Sequence, residues 1–241
     1  MPEEAVQLKG VPEPLQQPIR EYSDLLRSLG GAKAKSLTLF GAVAAGRFDA
    51  ARHTMRSVLV VESVDLGMLR RLSEHGPKLG KRRIAAPLIM TPAYIENSLD
   101  TFPLELIEIQ QNHITVFGED PFKALTFEDA HVRHQCEREF KTILIGLRQG
   151  LLAAAGKDKV LESVQVEAAE ELIRTLRGML WLKGQKDGKP AEQVVAEIEK
   201  SFERKLDGVR AVLNPSGPHG WNEFQALYRD VAALAEKADA A

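Results

Sequence analysis

The hydrophobic period of this chain changes once, near Leu125, and that change limits the possible folds more than any other feature. Before it, short β-prone runs alternate with helical stretches. Residues 36–40 (SLTLF) halt at Gly41, and residues 57–61 (SVLVV) are dense in β-branched side chains, so both read as buried strands. Residues 84–90 and 114–117 read as two more. Residues 104–109 (LELIEI) alternate apolar and acidic, which predicts a strand with Glu105 on one side and Leu104, Leu106 and Glu108 on the other. Helices are expected from Pro18 to Gly30 on the spacing of Ile19, Tyr22, Leu25, Leu26 and Leu29, over 66–79, and after Thr91-Pro92, a cap followed by a first-turn proline. Beyond Leu125 every apolar pattern has helical spacing, over 127–155, 160–182, 190–206 and 221–238, with glycines between. The expectation is an α+β domain over 16–124 followed by an all-α helical bundle over 125–241. The Pro-bearing residues 1–15 are expected to be a mobile arm.

Composition excludes several classes of function. The 32 basic and 34 acidic side chains give a formal charge of -2, which speaks against wrapping nucleic acid, so that partner is not expected. One cysteine, Cys136, rules out an intramolecular disulfide and a cysteine-based zinc site. No stretch approaches the roughly 20 apolar residues of a membrane-spanning helix, and the opening MPEEAVQLKG has no apolar run of a secretory signal. A cytoplasmic protein with no membrane partner is the expectation.

The words LFGAVAAG at residues 39–46 and TMRSVLVV at 54–61 carry the strongest motif. Their order and spacing resemble the signature of the nucleotidyltransferase superfamily, the DNA polymerase β-like fold. The resemblance continues through FPLELIEI, the Gly118-Glu119-Asp120-Pro121 turn and the helical start VRHQCEREF, as in a bacterial subgroup that appends a helical domain. It covers about residues 25–152. It implies a small mixed β-sheet and a strand-to-helix turn at Gly41, Ala42 and Gly46 whose amides face nucleotide phosphates, an arrangement suited to anions. It also implies two metal-holding aspartates on the next strand, where this chain has Met55 and Ser57, while Ala42 and Ala45 stand where the family has serine and arginine. Magnesium takes hard oxygen ligands, and a methionine thioether is soft.

Other acids and bases remain candidates. Glu105 or Glu108 falls where the resemblance puts a third carboxylate, and Asp49 lies in the spacer. On the helix after 127, Arg133, Glu137 and Lys141 are spaced four apart. They read either as an ion ladder or as a cleft-facing set, in which Glu137 or Glu139 takes a ligand hydroxyl and Arg133 or Lys141 a phosphate. His131 and His134, three apart, read as surface residues rather than metal ligands, and Lys78, Lys81, Arg82 and Arg83 as a solvated turn. Cys136 has no paired base and reads as a structural thiol. Trp181, Phe202, Trp221, Phe224 and Tyr228 are expected to anchor the helical core.

Two functional readings follow. In the first, a nucleotidyltransferase scaffold without its metal-holding acids binds a nucleotide or a protein partner, or a second copy of itself, and needs no cofactor. Gly41, Ala42, Gly46, Met55, Ser57, Arg133 and Lys141 then line the nucleotide site. In the second, relocated carboxylates among Asp49, Glu105 and Glu108 hold Mg²⁺ and the chain transfers a nucleoside monophosphate to a hydroxyl.

Overall fold

The computed structural model describes residues 6–51, 53–214 and 216–239. The chain divides into two compact units, and one of the breaks between them falls inside a helix. One unit comprises the described residues up to Leu99 together with Glu108–Thr126. The other comprises Asp100–Ile107 and the described residues from Phe127 onward. Residues 100–107, which precede the break expected after residue 124, group with the C-terminal helices.

The first unit is built on a four-stranded mixed sheet. Strands β1 (Ala34–Phe40), β2 (Arg56–Val61), β3 (Leu88–Met90) and β4 (His113–Phe117) lie in the order β3-β2-β1-β4. β1 pairs antiparallel with β2 and β4, and β2 runs parallel to β3. In the β1–β2 register Leu37 faces Leu59, Leu39 faces Ser57 and Phe40 faces Arg56. Directly opposed residues share a face, so Leu37, Leu39, Ser57 and Leu59 lie on one side of the sheet. That side packs with Ile19, Tyr22 and Leu26 of helix α1 (Glu13–Gly30) into a buried core with Met55 and Val61.

Several expectations need correction here. Within the arm expected over 1–15, residues 1–5 lie outside the described residues. From Val6 on the chain is packed: Leu8 and Val11 are buried in the sheet core, and the Gln7 amide donates to the Val116 carbonyl at 2.7 Å. α1 starts at Glu13 and carries Pro18 inside it, where the expected start was Pro18. The helix expected over 66–79 is two, α2 (Leu66–Glu74) and α3 (Gly76–Lys81), broken at Gly76-Pro77. The strand expected at 84–90 is only β3, with Ile84 making a single bridge to Met55. Thr91 does cap α4 (Pro92–Glu96), its Oγ1 accepting the Tyr94 amide at 3.1 Å.

The largest correction is LELIEI, which forms helix α5 (Pro103–Gln111) and not a strand. A six-residue alternation fits both periods, and length alone cannot separate them. Leu104, Leu106, Ile107 and Ile109 are all buried, while Glu105 and Glu108, three apart, are half-buried along one side of the helix.

The second unit is helical. It holds α6 (Asp129–Ala154), α7 (Asp158–Leu182), α8 (Ala191–Phe202), α9 (Asp207–Leu213) and α10 (Trp221–Asp239) around one core. The helix expected over 190–206 stops at Phe202, where Glu203 turns left-handed at φ 49°, and α9 is a separate element. α9 starts against the α10 backbone, so close that only a glycine fits at Gly208. The buried Asp230 accepts the Gly208 and Val209 amides at 2.8 and 3.2 Å. Trp181 and Phe224 are core residues as expected, but Trp221 is 51% exposed and anchors nothing. Among the described residues no helix is long and apolar enough to cross a membrane.

Candidate functional site

The glycine-bounded turn after β1 is a single helical turn, shorter than the helix the motif implies. Gly41, at φ 76°, leaves β1 and donates its amide to the Asn112 carbonyl at 3.0 Å. The Ala45 amide then returns to the Gly41 carbonyl at 2.9 Å. The Gly46 amide bonds Val43 at 3.1 Å and the Arg47 amide bonds Ala42 at 2.9 Å. With Gly46 at φ 67°, these last two bonds are a Schellman ending, which stops the helix after one turn. The Ala42, Val43 and Ala44 amides, at the start of the turn, have no backbone acceptor among the described residues.

Met55, just before β2, and Ser57 within it lie on the side that packs against α1. Met55 is 3% exposed and Ser57 1%. The Ser57 hydroxyl and the Tyr22 hydroxyl form a buried hydrogen bond at 2.9 Å, and burial pushes the Tyr22 phenol up to about 12. A thioether in an apolar core and a hydroxyl engaged with a phenol do not fit a divalent metal. Between them Arg56 projects to the opposite face. Its guanidinium lies 4.4 Å from the centre of the Phe40 ring, and its Nη1 donates to Glu108 Oε1 at 3.0 Å. Glu108 therefore meets a cation of β2 and not Met55 or Ser57.

The other candidate carboxylates also have partners. Glu105 accepts from Gln135 at 2.8 Å and from Arg174 at 3.3 Å within the helical unit. Asp49 accepts the Ala51 amide at 2.9 Å, folding its own exposed loop. Among the described residues no three His, Cys, Asp or Glu side chains gather as a metal cluster. The ladder reading of α6 also changes. Lys141 pairs with Asp239 of α10 at 2.9 Å, and that hydrogen bond raises the lysine's pKa. Arg133 and Glu137 stand half-buried one turn apart without an ion pair between them. Arg82 of the basic run pairs with Glu21 at 2.9 Å, and Arg83 donates to the Ala51 carbonyl at 3.3 Å.

No protein-family model matches the chain, and no curated protein matches it. Among solved structures it resembles the spectinomycin adenyltransferase AAD(9) from Enterococcus faecialis, whose crystal structure holds ATP and spectinomycin. The TM-score is 0.58 at 12% identity, over 92% of this chain and 98% of that one. The fold is nucleotidyltransferase-like. At that identity the likeness carries architecture alone: a small mixed sheet followed by helices.

Sequence reasoning passed over Tyr22, Arg56 and Arg174. Arg56 was legible, since period-two alternation puts it opposite its neighbours at 55 and 57. Tyr22 read only as one more apolar position of α1. Nothing in the sequence joins it to Ser57, 35 residues away.

Proposed function

We propose that this chain is a nucleotidyltransferase-fold protein without transfer activity that acts as a binding module for a nucleotide, with a protein partner as the other occupant of that role. The observation that carries the reading is the Tyr22–Ser57 hydrogen bond, which uses the second signature position as core while Met55 fills the first. The acids that could substitute, Glu105, Glu108 and Asp49, are each held by other groups. What remains of the site is the turn, whose three leading amides suit an anion. One solved structure of similar fold is an adenyltransferase whose crystal structure holds ATP.

Calorimetric titration with ATP, GTP, CTP and UTP, each with and without Mg²⁺, tests this. Binding should be no tighter with Mg²⁺ than without, should weaken in an Ala42→Glu variant, and should be accompanied by no release of pyrophosphate. Mg²⁺-dependent binding with pyrophosphate release into a hydroxyl acceptor would overturn the reading in favour of a working transferase. No binding of any nucleotide would leave the partner-binding role.

A further inference from the structure

A cavity of about 310 Å³ opens in the helical unit between α6 and α10, lined by Arg148, Leu151, Trp221, Phe224, Tyr228 and Arg229. Its volume is at the lower end of the roughly 300–1,000 Å³ of small-molecule sites. One wall is aromatic. Trp221 and Phe224 stack with ring centres 5.9 Å apart and planes 12° from parallel, and half of the Trp221 surface is open. The open half of the Trp221 ring is apolar surface that, among the described residues, the helical unit leaves to solvent.

The charge of the cavity has one sign. Arg148 and Arg229 line it, and no carboxylate does. The Arg148 Nε donates to the Tyr228 hydroxyl at 2.7 Å, with the guanidinium 5.5 Å from the centre of that ring. The Arg229 Nε donates to the Gln225 carbonyl one turn back, at 3.2 Å. Both guanidinium groups are thus anchored through Nε. Among the described residues neither has an acidic partner, whereas Arg56, Arg82, Arg138, Arg174 and Arg210 all do. A held guanidinium with free terminal nitrogens matches a carboxylate or phosphate through two parallel hydrogen bonds.

We propose that this cavity binds a small molecule of one or two flat aromatic rings bearing a carboxylate or phosphate. The rings stack on Trp221 and the anion sits between Arg148 and Arg229. The site is independent of the turn at Gly41 and of the function proposed for it.

The test is titration of the whole chain with naphthoate, naphthyl phosphate and the neutral naphthalenemethanol, followed by calorimetry and tryptophan quenching. At least one of the two anions should bind saturably, about tenfold or more tighter than the alcohol. Which of the two binds better identifies the anionic group. Arg148→Gln and Arg229→Gln should each weaken the anion about tenfold and leave the alcohol unchanged, while Trp221→Leu should weaken all three probes. All three side chains are exposed, so circular dichroism should show each variant folded. Equal affinity for alcohol and anions, anion binding indifferent to both arginine variants, or no saturable binding would overturn the proposal. So would self-association of the chain that Trp221→Leu abolishes, because the patch would then be covered by a second copy.

Discussion

Replacing Ser57 by aspartate asks whether that face of β2 is a metal site or a packed core. Ser57 is 1% exposed, opposes Leu39, and touches one polar group, the Tyr22 hydroxyl 2.9 Å away. A carboxylate there would gain one donor and leave its second oxygen among Met55, Leu59 and α1. The same burial already holds the Tyr22 phenol at about 12. Burial disfavours the charged form, and an upward displacement of about 2 units from the free value near 3.9 costs about 3 kcal/mol at neutral pH. The sign follows from proton linkage. An acid whose folded value is raised is penalised in full above that value, about pH 6, and not at all below its unfolded value, about pH 4.

Both tryptophans lie in the helical unit, so hydrogen exchange of the β1 and β2 amides is the suitable readout for this change. Corrected for intrinsic rates, opening of these strands in Ser57→Asp should be about a hundredfold more frequent than in the parent at pH 7, and should approach the parent at pH 4. Protection equal to the parent at pH 7, or protection restored by millimolar Mg²⁺, would refute the reasoning. Either result would mean that the position opens to solvent and accepts a cation.

Glu199 is 7% exposed, and the Arg210 guanidinium that hydrogen-bonds it at 2.6 and 3.0 Å holds its carboxyl down at about 2. Its stabilisation, about 2 kcal/mol after allowing for the exposed arginine, is present above pH 4.5 and lost as pH falls toward 2. Glu199→Gln should therefore be less stable than the parent at neutral pH, and the gap should close in acid, as followed by Trp181 fluorescence in urea. Gly118 and Gly41 both have φ near 75°, but a Cβ at Gly118 would strike the Lys35 carbonyl and Ser36, and one at Gly41 meets nothing. Gly118→Ala should cost about 3 kcal/mol or more and Gly41→Ala about 1 kcal/mol, a contrast visible in strand exchange rates. Burial pushes the Cys136 thiol up to about 12, so a disulfide reagent should label it no faster than the helical unit opens; rapid labelling of the native protein would contradict that.

The parts of the fold that were legible were those where composition and period agree. After their leading serines, SLTLF and SVLVV are β-branched or apolar throughout and end at glycine or charge, and the two strands pair with each other. LELIEI misled because its alternation is also compatible with a helix. Pro103 at the first position, a good helix start, was the signal that could have corrected it. Residues 6–12 look sparse in apolar side chains, yet Leu8 and Val11 suffice to seat them once the Gln7 amide pairs with β4. The aromatic spacing that placed Trp221 in the core with Phe224 ignored that three residues make only most of a turn at a helix start, so one ring can be buried while the other faces outward. At the candidate site, the sequence placed the Gly41 turn between two strands, and the structure has a turn and the strands there. The sequence could not say which face of β2 receives α1, because alternation defines two faces without naming their neighbours. That choice is made by contacts distant in sequence, such as Tyr22 with Ser57, and it changes what each residue of the strand can do.

The electrostatics of the turn also bear on the role of Mg²⁺. In a site with two carboxylates beside a phosphate-facing turn, like charges oppose each other and a divalent cation must bridge them. Here β2 offers no carboxylate to that end of the sheet. Its one charge near the turn, Arg56, is matched by Glu108 at 3.0 Å. A phosphate approaching the Ala42–Ala44 amides meets partial positive charge with no acid of the strand to repel it. Magnesium then has no repulsion to relieve within the site, while in solution it neutralises the very charge the amides would attract. On the function proposed above, a turn with no carboxylate on the neighbouring strand has the opposite cation dependence to a two-carboxylate site, and a nucleotide should be held there best when it arrives without its metal.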